Sequence, residues 1–131
     1  MRPLILLAVG GAVGTLCRYG LSGWVQGRAR TSFPWGTMSV NVLGCLAIGV
    51  LGCLLADRGA LRPEYRTAIL VGVLGGFTTF SSFGYETLRM LNDRDLARAG
   101  LYVVGTNLAC LAAVWIGYRV TEKLLLSSGS E

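Results

Sequence analysis

The chain of 131 residues is 53% hydrophobic and only 15% charged, too apolar for a small soluble domain, which points to the bilayer as its solvent. Its net charge of +5 comes from basic residues scattered over loops and helix ends instead of gathered in one stripe, so nucleic acid is not the expected partner. It contains no histidine, which excludes imidazole catalysis and imidazole metal ligation, and its four cysteines, Cys17, Cys45, Cys53 and Cys110, show no CxxC spacing and read as reduced packing residues.

Four apolar runs, each near the ~20 residues that a spanning helix needs, predict spans at Leu4–Val25, Trp35–Ala56, Arg66–Leu91 and Leu96–Leu125, with short connections and a polar tail at Ser127–Glu131. The expected fold is therefore an all-α, multi-pass membrane protein with residues 1–131 forming a single four-helix transmembrane domain. In the first span, Arg2 precedes the apolar run and small residues follow, as in a cleaved signal peptide. Against that alternative, Arg18, Tyr19 and Trp24 read as a continuing span with an aromatic anchor near its end. Arg18 lies deep enough to be costly, so it must snorkel, pair with an acid such as Glu86, or face water.

Most of the 19 glycines fall inside spans, among them Gly10, Gly14, Gly44, Gly49, Gly52, Gly72, Gly76, Gly105 and Gly117, and close helix packing in lipid is their default explanation. In the second span Thr37 and Asn41 are four apart and share a face continued by Gly44 and Cys45. The asparagine amide either glues two helices or donates to an anion, and position alone does not separate the two.

The third span holds Gly75-Gly76-Phe77-Thr78-Thr79-Phe80-Ser81-Ser82-Phe83 at its middle, where two glycines and a polar, β-branched run predict a break in the helix. The carbonyls freed at membrane depth need an ion or a polar cavity; the alternative is a continuous helix whose hydroxyls bond back to the backbone. Phe80 and Phe83 face one way, while Ser82 and Glu86 lie on another stripe. Aromatics here ordinarily pack, yet a phenyl ring has a positive edge that could contact a small anion. In the fourth span Tyr102, Thr106 and Cys110 recur every four residues as a one-sided polar track, with Asn107 off that stripe as an interhelical hydrogen-bonding residue. No span carries a carboxylate near its centre, which favours a passive conduit over a proton-coupled transporter.

An even number of spans puts Arg2, Arg58, Arg62, Arg66, Arg119 and Lys123 on one side of the membrane and Arg28, Arg30, Arg89, Arg94 and Arg98 on the other, with Arg18 leaning to the latter. So balanced a tally gives no preferred orientation, which opens dual topology and an inverted, two-fold pair; a single topology set by weaker signals is the alternative.

Three stretches, Gly14-Thr15-Leu16-Cys17-Arg18-Tyr19, Phe33-Pro34-Trp35-Gly36-Thr37 with Val40-Asn41-Val42-Leu43-Gly44, and Gly75 through Phe83, resemble the four-helix fluoride channels called Fluc or CrcB proteins. The resemblance implies an antiparallel, dual-topology homodimer in the bacterial cytoplasmic (inner) membrane, with two pores that export fluoride passively and confer fluoride resistance. It further implies Asn41 as a pore donor, Phe80 and Phe83 as ring edges, Ser81, Ser82, Tyr102 and Thr106 in a polar track, and Thr37 as a further pore residue, with Arg18 towards an aqueous vestibule. A structural sodium ion would be held by the backbone carbonyls of Gly75 and Thr78 of both subunits. Cys110 departs from the serine of many such channels, and a thiol is the weaker donor. The resemblance implies no enzyme activity; its competitors are a dual-topology multidrug exporter, which would need a glutamate in the first span, and a non-conducting membrane scaffold.

Overall fold

The computed structural model describes residues 1–57 and 61–128, so Arg58 and the tail residues 129–131 lie outside the described residues. Helix α1 (Arg2–Ala29) starts with a proline in its first turn, where the missing N–H costs nothing, and ends at Arg30, whose left-handed φ of 49° turns the chain. The turn into α2 (Trp35–Leu51) is held by Gln26, whose Nε2 donates to the carbonyls of Thr31 (2.7 Å) and Phe33 (3.1 Å) while its Oε1 accepts from Gly36 N–H (3.1 Å). One side chain thus serves a free N–H in the first turn of α2 and two carbonyls of the connecting turn.

After α2 the chain continues as a π-helical segment, Gly52–Asp57. The next helix is composite: α3 (Pro63–Thr67), a π-helical stretch Ala68–Val73, and α4 (Leu74–Phe77) run on without interruption. Thr78 and Thr79 then adopt extended backbone, with ψ of 156° and 107°, before α5 (Phe80–Asn92) begins. The break is short, two residues long, and lies where the glycines and β-branched threonines predict it. A turn through Arg94 (φ 59°) leads into α6 (Leu96–Ser128), a helix of 33 residues that takes in Ser127 and Ser128 from the expected polar tail.

Four helical units, Arg2–Ala29, Trp35–Leu55, Pro63–Asn92 and Leu96–Ser127, are long and apolar enough to cross a membrane, and no strand occurs among the described residues. The chain is a multi-pass membrane protein. Its packing is backbone against backbone: a Cβ on Gly10 would stand 2.5 Å from the Ala68 carbonyl oxygen, and one on Gly117 would stand 2.5 Å from that of Leu46. These contacts hold α1 against the composite helix and α2 against α6. Gly52 and Gly105, in contrast, face open space, so intrachain packing does not account for them. Much of the apolar surface points outward, including Leu16, Leu108, Leu111 and Trp115, as a lipid-facing or subunit-facing exterior requires.

Candidate functional site

The break in the composite helix redirects four backbone groups. In an unbroken helix Thr79 N–H would serve the Gly75 carbonyl; it donates to Asn41 Oδ1 instead, at 2.7 Å. Asn41 Nδ2 returns a bond to the Thr79 carbonyl at 3.1 Å, so the amide of α2 clasps the break from both sides. Ser82 N–H, which would serve the Thr78 carbonyl, donates to Thr79 Oγ1 at 3.2 Å as an N-cap of α5. The Gly76 carbonyl accepts from Arg18 Nε at 2.9 Å. Arg18 therefore meets its charge requirement with a freed carbonyl of the break, not with Glu86.

Thr79 is also the centre of a hydroxyl cluster. Its Oγ1 donates to Ser82 Oγ at 3.0 Å and lies 3.2 Å from Ser81 Oγ. Thr78 Oγ1 bonds back to the Leu74 carbonyl at 3.0 Å, the helix-internal habit of a threonine.

A groove of about 360 Å³ runs past the break, and its lining includes Asn41, Gly44, Cys45, Gly75, Thr78, Phe80, Phe83, Thr106, Asn107 and Cys110. Phe83 is buried, whereas Phe80 is 79% exposed in the single chain, and the two rings stand 5.3 Å apart between centroids. Thr106 Oγ1 is buried and has no hydrogen-bond partner among the described residues. Native structures rarely leave such a hydroxyl unserved, so it calls for a partner outside the single chain, such as a water, an ion or a second copy.

Thr37 and Tyr102 meet elsewhere, at a third residue. Thr37 Oγ1 from α2 and Tyr102 OH from α6 each donate to the Glu86 carboxylate of α5, both at 2.7 Å. Tyr102 is fully buried between Phe83 (5.1 Å) and the edge of Phe33 (5.5 Å), so this cluster and the groove share the Phe83 ring as a wall. A second cavity, of about 430 Å³, is lined by Glu86 with Ser32, Pro34, Arg89, Met90, Asp93, Asp95 and Arg98. Its rim carries both charge signs, and Arg98 is tied to Asp95 (3.4 Å) and to Ser32 Oγ (2.8 Å).

Residues 5–118 match the family model described as "CrcB-like protein, Camphor Resistance (CrcB)". The chain belongs to the CrcB family. A protein of Thermus thermophilus, named a fluoride-specific ion channel, FluC, is 49% identical over 121 residues, covering 92% of this chain and 94% of the relative. Proteins of the same name from Opitutus terrae (47% over 132 residues, 99% and 100% of the two chains) and Citrifermentans bemidjiense (44% over 124 residues, 95% and 100%) are similar along almost their whole length.

In this CrcB-family chain the structure thus gathers Asn41, Gly75, Thr78, Phe80, Phe83 and Thr106 at one groove. Thr37 and Tyr102 sit at Glu86, Ser81 and Ser82 at Thr79, and Arg18 at Gly76. Asn107, read from sequence as an interhelical residue, donates to the Val103 carbonyl of its own helix at 2.7 Å and is exposed in the single chain. Glu86 and Thr79 are the two residues that sequence reasoning undervalued. Glu86 is the lone acid between Glu64 and Asp93 and lies three residues from Phe83, so spacing alone could have placed it on the Phe83 face.

Proposed function

We propose that the chain is a fluoride-selective passive channel of the bacterial cytoplasmic membrane, exporting cytoplasmic fluoride and so conferring fluoride resistance, with no enzymatic activity. The observation that carries this reading is 44–49% identity, over 92–99% of the chain, to proteins named fluoride-specific ion channels. The proposed assembly is an antiparallel, dual-topology homodimer with two pores. What supports it is the balanced distribution of basic residues together with the exposure of Phe80, a groove residue left uncovered in the single chain.

Fluoride is small and strongly hydrated, so a pore must replace its water with hydrogen-bond donors. The groove wall includes Thr106, whose buried Oγ1 has no partner among the described residues, and Asn41, whose amide keeps a second N–H beyond the one given to Thr79. Phe80 and Phe83 add positive ring edges without a competing fixed charge. At the Glu86 end, Thr37 and Tyr102 already hold their O–H donors towards an anionic group. An arriving anion competes with that carboxylate for the same donors, which lets it shed water gradually from the charged cavity inwards. Ser81 and Ser82 extend the hydroxyl supply beside the break. The negative interior of the cell drives the anion outwards.

The proposed structural sodium ion takes the Gly75 and Thr78 carbonyls of both subunits. Their fit to a hard cation rests on the break: these are the carbonyls whose helical donors, the N–H groups of Thr79 and Ser82, bond elsewhere. Gly75 and Thr78 both line the groove. When bound, such an ion would fix two freed carbonyls per chain on a two-fold axis. Arg18 is proposed to face an aqueous vestibule while keeping its bond to Gly76.

Expression of the chain in a fluoride-sensitive bacterium lacking its own exporter tests the physiological reading. Growth at otherwise toxic fluoride is the expected result; unchanged sensitivity with protein present in the membrane would refute it.

A further inference from the structure

Cys45 of α2 and Cys110 of α6 lie on helices that pack along one another. Both line the groove beside Asn41 and Thr106, both are partly accessible, and both are free thiols. Neither is used by the hydrogen-bond network of the break or of Glu86. The other two cysteines are remote in character: Cys17 is exposed on α1 and Cys53 is buried in the π-helical segment that follows α2.

Two free thiols on the wall of one groove, with no third ligand beside them among the described residues, define a narrow class of ligand. Zinc takes four ligands in a structural site, and no group of three or more histidine, cysteine, aspartate or glutamate side chains comes together among the described residues. A hard cation would choose oxygen over thiolate. What remains is a soft cation content with two-coordinate, near-linear sulfur ligation. Charge narrows it further, because Ile48, Leu70 and Leu74 also line the groove and an apolar setting disfavours a net charge. Two thiolates neutralise a divalent ion and leave a monovalent one overall negative.

We propose that Cys45 and Cys110 form a two-thiolate site for a soft divalent d10 cation, Hg(II), which bridges α2 and α6 across the groove. Two S–H bonds break, two S–Hg bonds form, two protons leave to solvent, and no atom changes oxidation state. The bridge crosses the groove one helical turn from Asn41 and Thr106. Its effect on ion flow rests on the channel reading; its existence does not.

The test uses the full-length chain with C17S and C53S, purified in detergent, treated with Hg(II) nitrate and then with N-ethylmaleimide, and read by intact mass. One equivalent of Hg(II) should remove both alkylation sites and add the mass of mercury less two protons. In C45S and C110S, or in the alanine versions should serine disturb the fold, the remaining thiol should hold Hg(II) open to exchange. A competing monothiol should strip it at about 100-fold lower concentration, because the second sulfur no longer binds intramolecularly. A need for two equivalents to protect two thiols, or equal resistance to stripping in the single variants, would overturn the site. Fluoride efflux from liposomes is measured alongside: block by Hg(II) in C17S/C53S and its relief in C45S place the bridge in the conduction path. A bridge seen by mass without block keeps the site and counts against the groove as the path.

Discussion

Asn41 and Thr79 hold each other by two hydrogen bonds run in opposite directions, Asn41 Nδ2 to the Thr79 carbonyl at 3.1 Å and Thr79 N–H to Asn41 Oδ1 at 2.7 Å. Sequence position left Asn41 between helix glue and anion donor. The geometry makes it a clasp that spends one amide hydrogen on the break and retains the other. Asn41→Asp keeps the acceptor for Thr79 N–H, removes the donor and sets a negative charge against the Thr79 carbonyl. Fluoride efflux from liposomes should vanish while the proposed dimer persists on size exclusion; near-normal efflux would remove Asn41 from the proposed pore. Asn41→Ala should cost about 1–3 kcal/mol in thermal unfolding, since it strands a buried N–H.

Phe80 and Phe83 separate packing from conduction. Phe83 is 7% exposed and wedged against Tyr102, whereas Phe80 is 79% exposed in the single chain. Both Phe→Ile changes should lower fluoride flux if ring edges matter. Only Phe83→Ile should also lower the stability of the chain, by about 1–3 kcal/mol, because only that ring leaves a packed site. Unchanged flux in both would make them packing residues alone.

The Glu86 cluster joins three helices through two bonds to one carboxylate. Thr37→Val and Tyr102→Phe each delete one charge-assisted hydrogen bond and should each cost about 1.5–3 kcal/mol in unfolding experiments. Because the two donors share an acceptor, the double variant should depart from the sum of the singles. Strict additivity would show that the hydroxyls do not act through Glu86.

Sodium removal probes the break. With the proposed sodium site, replacing Na⁺ by N-methylglucamine should weaken the proposed dimer and slow fluoride efflux, with recovery on adding Na⁺ back. Thr78→Val should respond to sodium as the unaltered chain does, because it changes the side chain and leaves the carbonyl. Insensitivity of both dimer and flux to sodium would take the ion out of the account.

The break was legible in the sequence because its cause is local: Gly75 and Gly76 loosen the helix and Thr78 and Thr79 favour extended backbone. The four spans were equally local in origin, each a run of apolar residues, although the helices run past the expected ends at Leu4 and Val25 to Arg2 and Ala29. What sequence did not show was partnership across helices. Glu86 is separated by 49 residues from Thr37 and by 16 from Tyr102, and the spacing that sets it beside Phe83 does not say which helices meet that face. Arg18 likewise found its acceptor 58 residues away, in a carbonyl that exists as a free acceptor only once the helix has broken. The π-helical stretches Gly52–Asp57 and Ala68–Val73 bear no compositional mark, being set by how the helices pack.

Efflux of fluoride from liposomes loaded with potassium fluoride, followed with a fluoride electrode after valinomycin opens a path for potassium, tests the central claim most directly. The account predicts rapid, valinomycin-dependent release of fluoride and far slower release of chloride under the same conditions. Correctly inserted protein that releases no fluoride, or releases chloride equally well, would contradict it.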